Sequence, residues 1–214
     1  MPPGHTSPRA HMVQHLLLGM YAPLGLVLGA PVSVLLGSLG RRGRRVAAAV
    51  LRSPVVHVLS HPVAAAVIST GALLALYLGP AHALLTHPWG HHLVALHLVL
   101  AGCLFTWSVA GPDPAPRRPS HPSRLAVLVL AAGAHAVLAK LLYAGAATLP
   151  ALQGYPVARS EQAAQLMYYG GDVAEVLLAV ALCAAWARSR RRREEAGHRL
   201  PRVTQVMPSP RRAT

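Results

Sequence analysis

His11-Met12-Val13-Gln14-His15-Leu16-Leu17-Leu18-Gly19-Met20 opens a stretch that runs on to Leu36 without an acidic residue, arginine or lysine. At ~1.5 Å per residue, a helix of that length crosses the ~30 Å hydrocarbon core of a bilayer. Histidine is costly in hydrocarbon and is also the commonest metal ligand. Four residues make about one helical turn, so His11 and His15 project the same way. That spacing suits two ligands to one metal, with Met12 beside them as a soft thioether. It equally suits an interfacial pair bonded to water and head groups.

The rest of the chain repeats the pattern. Of 214 residues, 53% are apolar and 12% are charged, and there is a single phenylalanine. That charge content is about half of what soluble domains carry. Five apolar runs are legible: Met12 to Leu36, Pro62 to Gly79, His92 to Ala110, Leu125 to Gly145 and Gln162 to Trp186. The expected fold is an all-α, polytopic membrane bundle of about five helices. A short external N-terminus would cover residues 1–10, the membrane domain 11–188, and a basic cytoplasmic tail 189–214, disordered past His198. The start of the chain carries no signal-peptide pattern, since its first basic residue is Arg9 and the apolar run is too long for an h-region.

The formal charge of +14 does not point to nucleic acid, because of where it sits. Arg41, Arg42, Arg44, Arg45 and Arg52 follow the first run. Arg117, Arg118 and Arg124 follow the third, and Arg188 with Arg190 to Arg193 follow the fifth. The alternate connections hold only Arg9 and Arg159. Arginine concentrated on one side marks the cytoplasmic face, which puts the N-terminus outside and the C-terminus inside a bacterial plasma membrane. His5, His11, His15, His82, His87, His91 and His92 then fall on the outer side. Cys103 and Cys183 stand alone in apolar runs and read as small packing residues.

Three polar groups lie deeper. His97 sits roughly 9 Å below His91 on a regular helix. His91, His92 and His97 do not share one face, so no more than one or two of them serve a common site with the first run. His135 lies near the middle of the fourth run, with Lys140 and Tyr143 on another face nearer the outside. In the fifth run Glu161, Gln165, Tyr168, Asp172 and Glu175 follow spacings of four, three, four and three, which is one helical stripe. Carboxylates at that depth must face the bundle interior and find partners. They serve either as packing contacts to His135 or Lys140, or as a metal or proton path. His11 and His15, then His97, then His135 beside Asp172 form a ladder inward. Imidazole, carboxylate and thioether together favour a borderline or soft transition metal, copper first, since a hard cation would want mainly oxygen ligands.

These segments resemble the CtaG-type family of bacterial cytochrome c oxidase assembly factors. The resemblance rests on His11-Met12-Val13-Gln14-His15 followed by Pro23 and Gly29-Ala30-Pro31, and on His61-Pro62. It continues through His97-Leu98-Val99-Leu100-Ala101-Gly102 with Trp107 and Asp113-Pro114, His135-Ala136, and Met167-Tyr168-Tyr169-Gly170-Gly171-Asp172. It implies a non-enzymatic role in maturing a haem–copper oxidase. The cargo would be copper, and the partners would be oxidase subunits or assembly intermediates and a copper chaperone. The matching candidates are His11, Met12, His15, His97, His135 and Asp172. Members commonly carry further spans ahead of the opening motif, and this chain begins just upstream of it, as a short form or a late start would. Glu161-Gln162 stands where an Asp-Gln pair is usual, which keeps the charge. The readings set against this one are a membrane electron carrier with His97 and His135 on a haem, and a proton-coupled transporter using the Asp172 and Glu175 stripe.

Overall fold

A computed structural model describes residues 7–87, 89–113 and 118–199, so His5, Pro88, Pro114 to Arg117 and the segment from 200 onward lie outside the described residues. Among those described, every regular element is a helix. Helix α1 spans Pro8–Leu28, α2 Pro31–Ser38, α3 Arg41–Leu51, α4 Pro54–Leu59 and α5 Pro62–Tyr77. Helix α6 spans Gly90–Val109, α7 His121–Ala144 and α8 Val157–Arg199. Short 3₁₀ turns at Pro80–Thr86 and Pro150–Leu152 link α5 to α6 and α7 to α8.

Four of these helices, α1, α6, α7 and the α8 segment up to Ala196, are long and apolar enough to cross a membrane. The run expected as a span from Pro62 forms α5, which at 16 residues is the short member. Its ends are set by chemistry. His61 caps the start, its Nδ1 accepting from the Val63 amide at 3.3 Å, and Pro62 occupies the first turn. The expected first span also divides. Ala30 lies at φ +54, in the left-handed region, and Pro31 denies it the helical alternative. The chain therefore breaks after Leu28 and restarts as α2. Nor is the arginine-rich connection from 41 to 52 a plain loop, because most of it folds as α3.

Inside α1 the five residues Leu17–Tyr21 form a π-helical turn, with the Ala22 amide bonding back to the Leu17 carbonyl. Pro23 follows directly and cannot offer an N–H to Gly19. The wider turn absorbs that defect locally, as such turns do at helix irregularities.

Packing brings α7 against α8, α1 against α8, and α6 against both α1 and α5. One apolar cluster at the His11 end centres on Met12, Tyr77, Leu138, Leu142 and Met167. A second at the arginine end holds Val109, Leu128, Leu178 and Leu182. The outside of the bundle is apolar as well: Leu96, Leu100, Leu130 and Val176 are all exposed. That is the surface of a protein solvated by lipid tails, where helices associate by close packing and not by escape from water. Small residues supply the closeness. A Cβ added at Gly102 would meet the Gly19 carbonyl oxygen at 2.2 Å, and one at Gly170 would meet Leu16 at 2.5 Å.

At the far end, Asp113 is 2% exposed and accepts from the Ser33 amide at 2.7 Å. Ser33 lies in the first turn of α2, so a carboxylate eighty positions away caps that helix. Asp113→Ala should destabilise the protein by about 1–2 kcal/mol through the lost charge-assisted bond. Thermal unfolding in detergent would report it. An unchanged midpoint would show that the cap contributes nothing.

Candidate functional site

The site residues run from the cluster at the His11 end, which includes Met12 and Tyr77, inward toward the second cluster, on groups from all five apolar helices. On α1, a Ser7 cap and Pro8 in the first turn start the helix early enough for His11, Met12 and His15 to lie on one inward face. Met12 is 2% exposed, and its sulfur accepts from the Tyr77 hydroxyl of α5 at 3.7 Å. The His11 ring sits 6.1 Å from the Tyr77 ring and 5.8 Å from that of His91 on α6.

One turn further in, His15 meets His135 of α7, their ring centroids 5.9 Å apart and tilted by 36°. Metal bonds of ~2 Å from imidazole nitrogens on either side of one ion need rings about this far apart. Both rings are buried, at 3% and 5% exposure. Among the described residues, none of their four nitrogens has a hydrogen-bond partner. Glu175 of α8 reaches His135 Nδ1 at 3.4 Å, an ion-pair distance with poor hydrogen-bond geometry. Asp172, one turn up the same helix, acts electrostatically on both.

Backbone glycine makes this approach possible. A Cβ at Gly171 would stand 2.3 Å from the His135 ring, and one at Gly19 would touch the His15 ring at 3.5 Å. The two imidazoles and Glu175 border a cavity of about 60 Å³ that also takes in His97, Ser69, Thr70 and Thr106. It has room for more than one water.

Of the residues chosen from sequence, His11, Met12, His15 and His135 form a continuous interior line. His97 borders the cavity while much of it stays exposed on the outside of α6. Asp172 lies beside His135 as expected, yet the carboxylate in contact is Glu175. Glu175 belongs to the same stripe and was legible there; its ring contact was not. Tyr77 is the other addition, and only the folded arrangement reveals it; of His91, His92 and His97, weighed from sequence as partners of the first run, His91 is the one whose ring lies beside His11. Lys140 takes no part, its ammonium lying over the Tyr168 ring at 5.5 Å from the centroid. Cys103 and Cys183 are free thiols. Among the described residues, no three His, Cys, Asp or Glu side chains converge as a closed metal site.

The family model for the cytochrome c oxidase caa3 assembly factor matches residues 3–189. The chain belongs to this caa3 assembly factor family. The match encloses every residue of the line from His11 to Glu175. Similar proteins include uncharacterized proteins of Mycobacterium bovis and Mycobacterium tuberculosis, each 32% identical over 201 residues. One of Mycobacterium leprae is 31% identical over the same length. Each alignment covers 85% of this chain but 30% of the relative, so this caa3 assembly factor family member spans under a third of their length. No solved structure matches the chain.

Proposed function

We propose that this chain serves the assembly of a haem–copper cytochrome c oxidase by passing copper along the line His11, Met12, His15 and His135, with Glu175, Asp172 and His97 at its inner end. The carrying observation is the buried His15 and His135 pair, whose ring nitrogens have no hydrogen-bond partner among the described residues and of which only His135 Nδ1 meets a carboxylate. An imidazole buried without partners is costly, and a soft cation that takes its lone pair offsets that cost. Imidazole and thioether are ligands that copper accepts, and copper outcompetes other divalent first-row ions for such donors. An incomplete donor set suits a cargo that must leave again. A closed set would retain it.

In this reading the protein is multi-pass in a bacterial plasma membrane. The arginine-rich end faces the cytoplasm, and His11 and His91 face outward. Its partners are oxidase subunits or assembly intermediates and a copper donor protein. The haem alternative lacks space, because a cavity of about 60 Å³ between His97 and His135 is far below the several hundred Å³ of a cofactor pocket.

Metal analysis of the purified, copper-loaded protein tests this. The wild type should retain copper, and a His11→Ala, His15→Ala variant should lose most of it. Cells lacking the gene should make oxidase short of copper. If neither protein binds copper and the oxidase is fully loaded without the gene, the proposal fails.

A further inference from the structure

A second, larger cavity lies at the opposite end of the bundle, with a volume of about 760 Å³, in the range of ligand pockets. Arg118, His121 and Arg124 border it from the connection after α6 and the start of α7. Arg188, Arg192 and Arg193 border it from α8. Among the described residues, no carboxylate side chain lines it.

The inner arginines bond to backbone carbonyls. Arg124 is 4% exposed, and its Nη1 donates to the Val109 carbonyl at 2.9 Å. Arg118 donates from Nη1 to the Gly111 carbonyl and from Nη2 to the Asp113 carbonyl. In both residues the buried Nε has no hydrogen-bond partner among the described residues. Carbonyls orient a guanidinium without cancelling its charge, so the pocket holds preset cations with unmet donors. Burial and the charge of Arg124 pull the Arg118 guanidinium below its usual value, against the nearby Asp113. Asp113 itself is engaged with the Ser33 amide. The His121 ring stacks on Trp186 at 5.8 Å and 13°, tying the start of α7 to α8 beside the pocket. Ala181, Ala184 and Ala185 give it one apolar wall.

We propose that this cavity binds a phosphate-bearing anion, with Arg118 and Arg124 as inner donors and Arg188 and Arg192 as the outer clamp. Guanidinium forks match phosphate oxygens, and basic pockets between membrane helices near the cytoplasmic face take anionic head groups. The source is either a phospholipid head group, whose tails the alanine wall would accept, or a free phosphate.

Native mass spectrometry of the protein released from detergent, offered phosphatidylglycerol or phosphatidylcholine, tests the proposal. Phosphatidylglycerol should be retained preferentially. Arg188→Gln with Arg192→Gln should weaken that retention about thirtyfold, taking ~1 kcal/mol per arginine. Both side chains lie at the end of a helix that persists without them, and circular dichroism would verify unchanged helix content. Arg41→Gln with Arg42→Gln removes the same charge from α3, away from the pocket, and should leave retention unchanged. Adding inorganic phosphate separates the sources: displacement of lipid at millimolar phosphate identifies the phosphate group alone, and no displacement identifies the whole lipid. Equal retention of the two lipids with no phosphate binding would overturn the proposal. So would equal losses from the two double variants.

Discussion

His15→Leu should yield a protein that is more stable and carries less copper. Both nitrogens of the His15 ring are buried with no hydrogen-bond partner among the described residues, and a polar group left in that state costs about 1–3 kcal/mol. Leucine has similar bulk and no polar atom. The Gly19 backbone beside the ring leaves it room, since even an added Cβ there would touch the ring only at 3.5 Å. A gain of roughly 1–2 kcal/mol is therefore expected, which is several degrees in the unfolding midpoint of a protein this size. His135 is unsuitable for the same swap, because its loss would strand the Glu175 carboxylate. Copper retention and oxidase maturation should fall together in the His15→Leu variant. Copper retained at the wild-type level would remove the inner pair from the route. A stability loss beyond 1 kcal/mol would mean that the imidazole is satisfied in the native protein.

Gly102→Ala should act in the opposite sense and more strongly. The added methyl would lie 2.2 Å from the Gly19 carbonyl oxygen and 2.7 Å from the Pro23 ring. Neither obstacle is a flexible side-chain end. Helix α6 would have to retreat from α1 by about 1 Å, and overpacking of this kind costs about 3 kcal/mol. The unfolding midpoint should drop by about 10 °C. His91 rides on α6, so its approach to His11 should loosen too. Gly25→Ala is the matching control, since nothing lies within 4 Å of a Cβ there. A Gly102→Ala midpoint equal to that of Gly25→Ala would show that α1 and α6 do not touch at this point.

Much of this architecture is legible in the sequence, for identifiable reasons. Long uncharged runs have few solutions other than membrane helices, so α6 and α7 are read nearly in place, while α1 ends earlier and α8 runs further than the apolar runs suggest. The stripe from Glu161 to Glu175 only borders the inward face of α8, which is Ala163, Ala164, Met167, Ala174 and Leu178; Gln165 is exposed, and Glu175 is the stripe carboxylate that reaches His135. What escapes is whatever depends on a neighbour. Nothing local in Tyr77 foretells its bond to Met12, and nothing in Glu175 favours it over Asp172 as the contact of His135. The break at Ala30 escaped for a different reason. Hydropathy is blind to backbone torsion, and Pro31 within an apolar run reads as a bend where it in fact restarts the chain. Helix α3 is missed because four arginines in five residues resemble a solvated loop, although their spacing before Val46 to Leu51 is compatible with an amphipathic helix.

The π-helical turn at Leu17–Tyr21 has a consequence for how this segment can vary. It lies between the His11 and His15 half of α1 and the half that carries Pro23. One residue of helix corresponds to about 100° of rotation. Removing any single residue of the turn would leave hydropathy almost unchanged, yet it would swing the histidines away from His91 and His135. The turn thus acts as a fixed gear between two faces of one rod. Exposed Leu17 is free to drift among apolar residues, whereas Tyr21, whose hydroxyl donates to the Gly170 carbonyl, and the residue count are not.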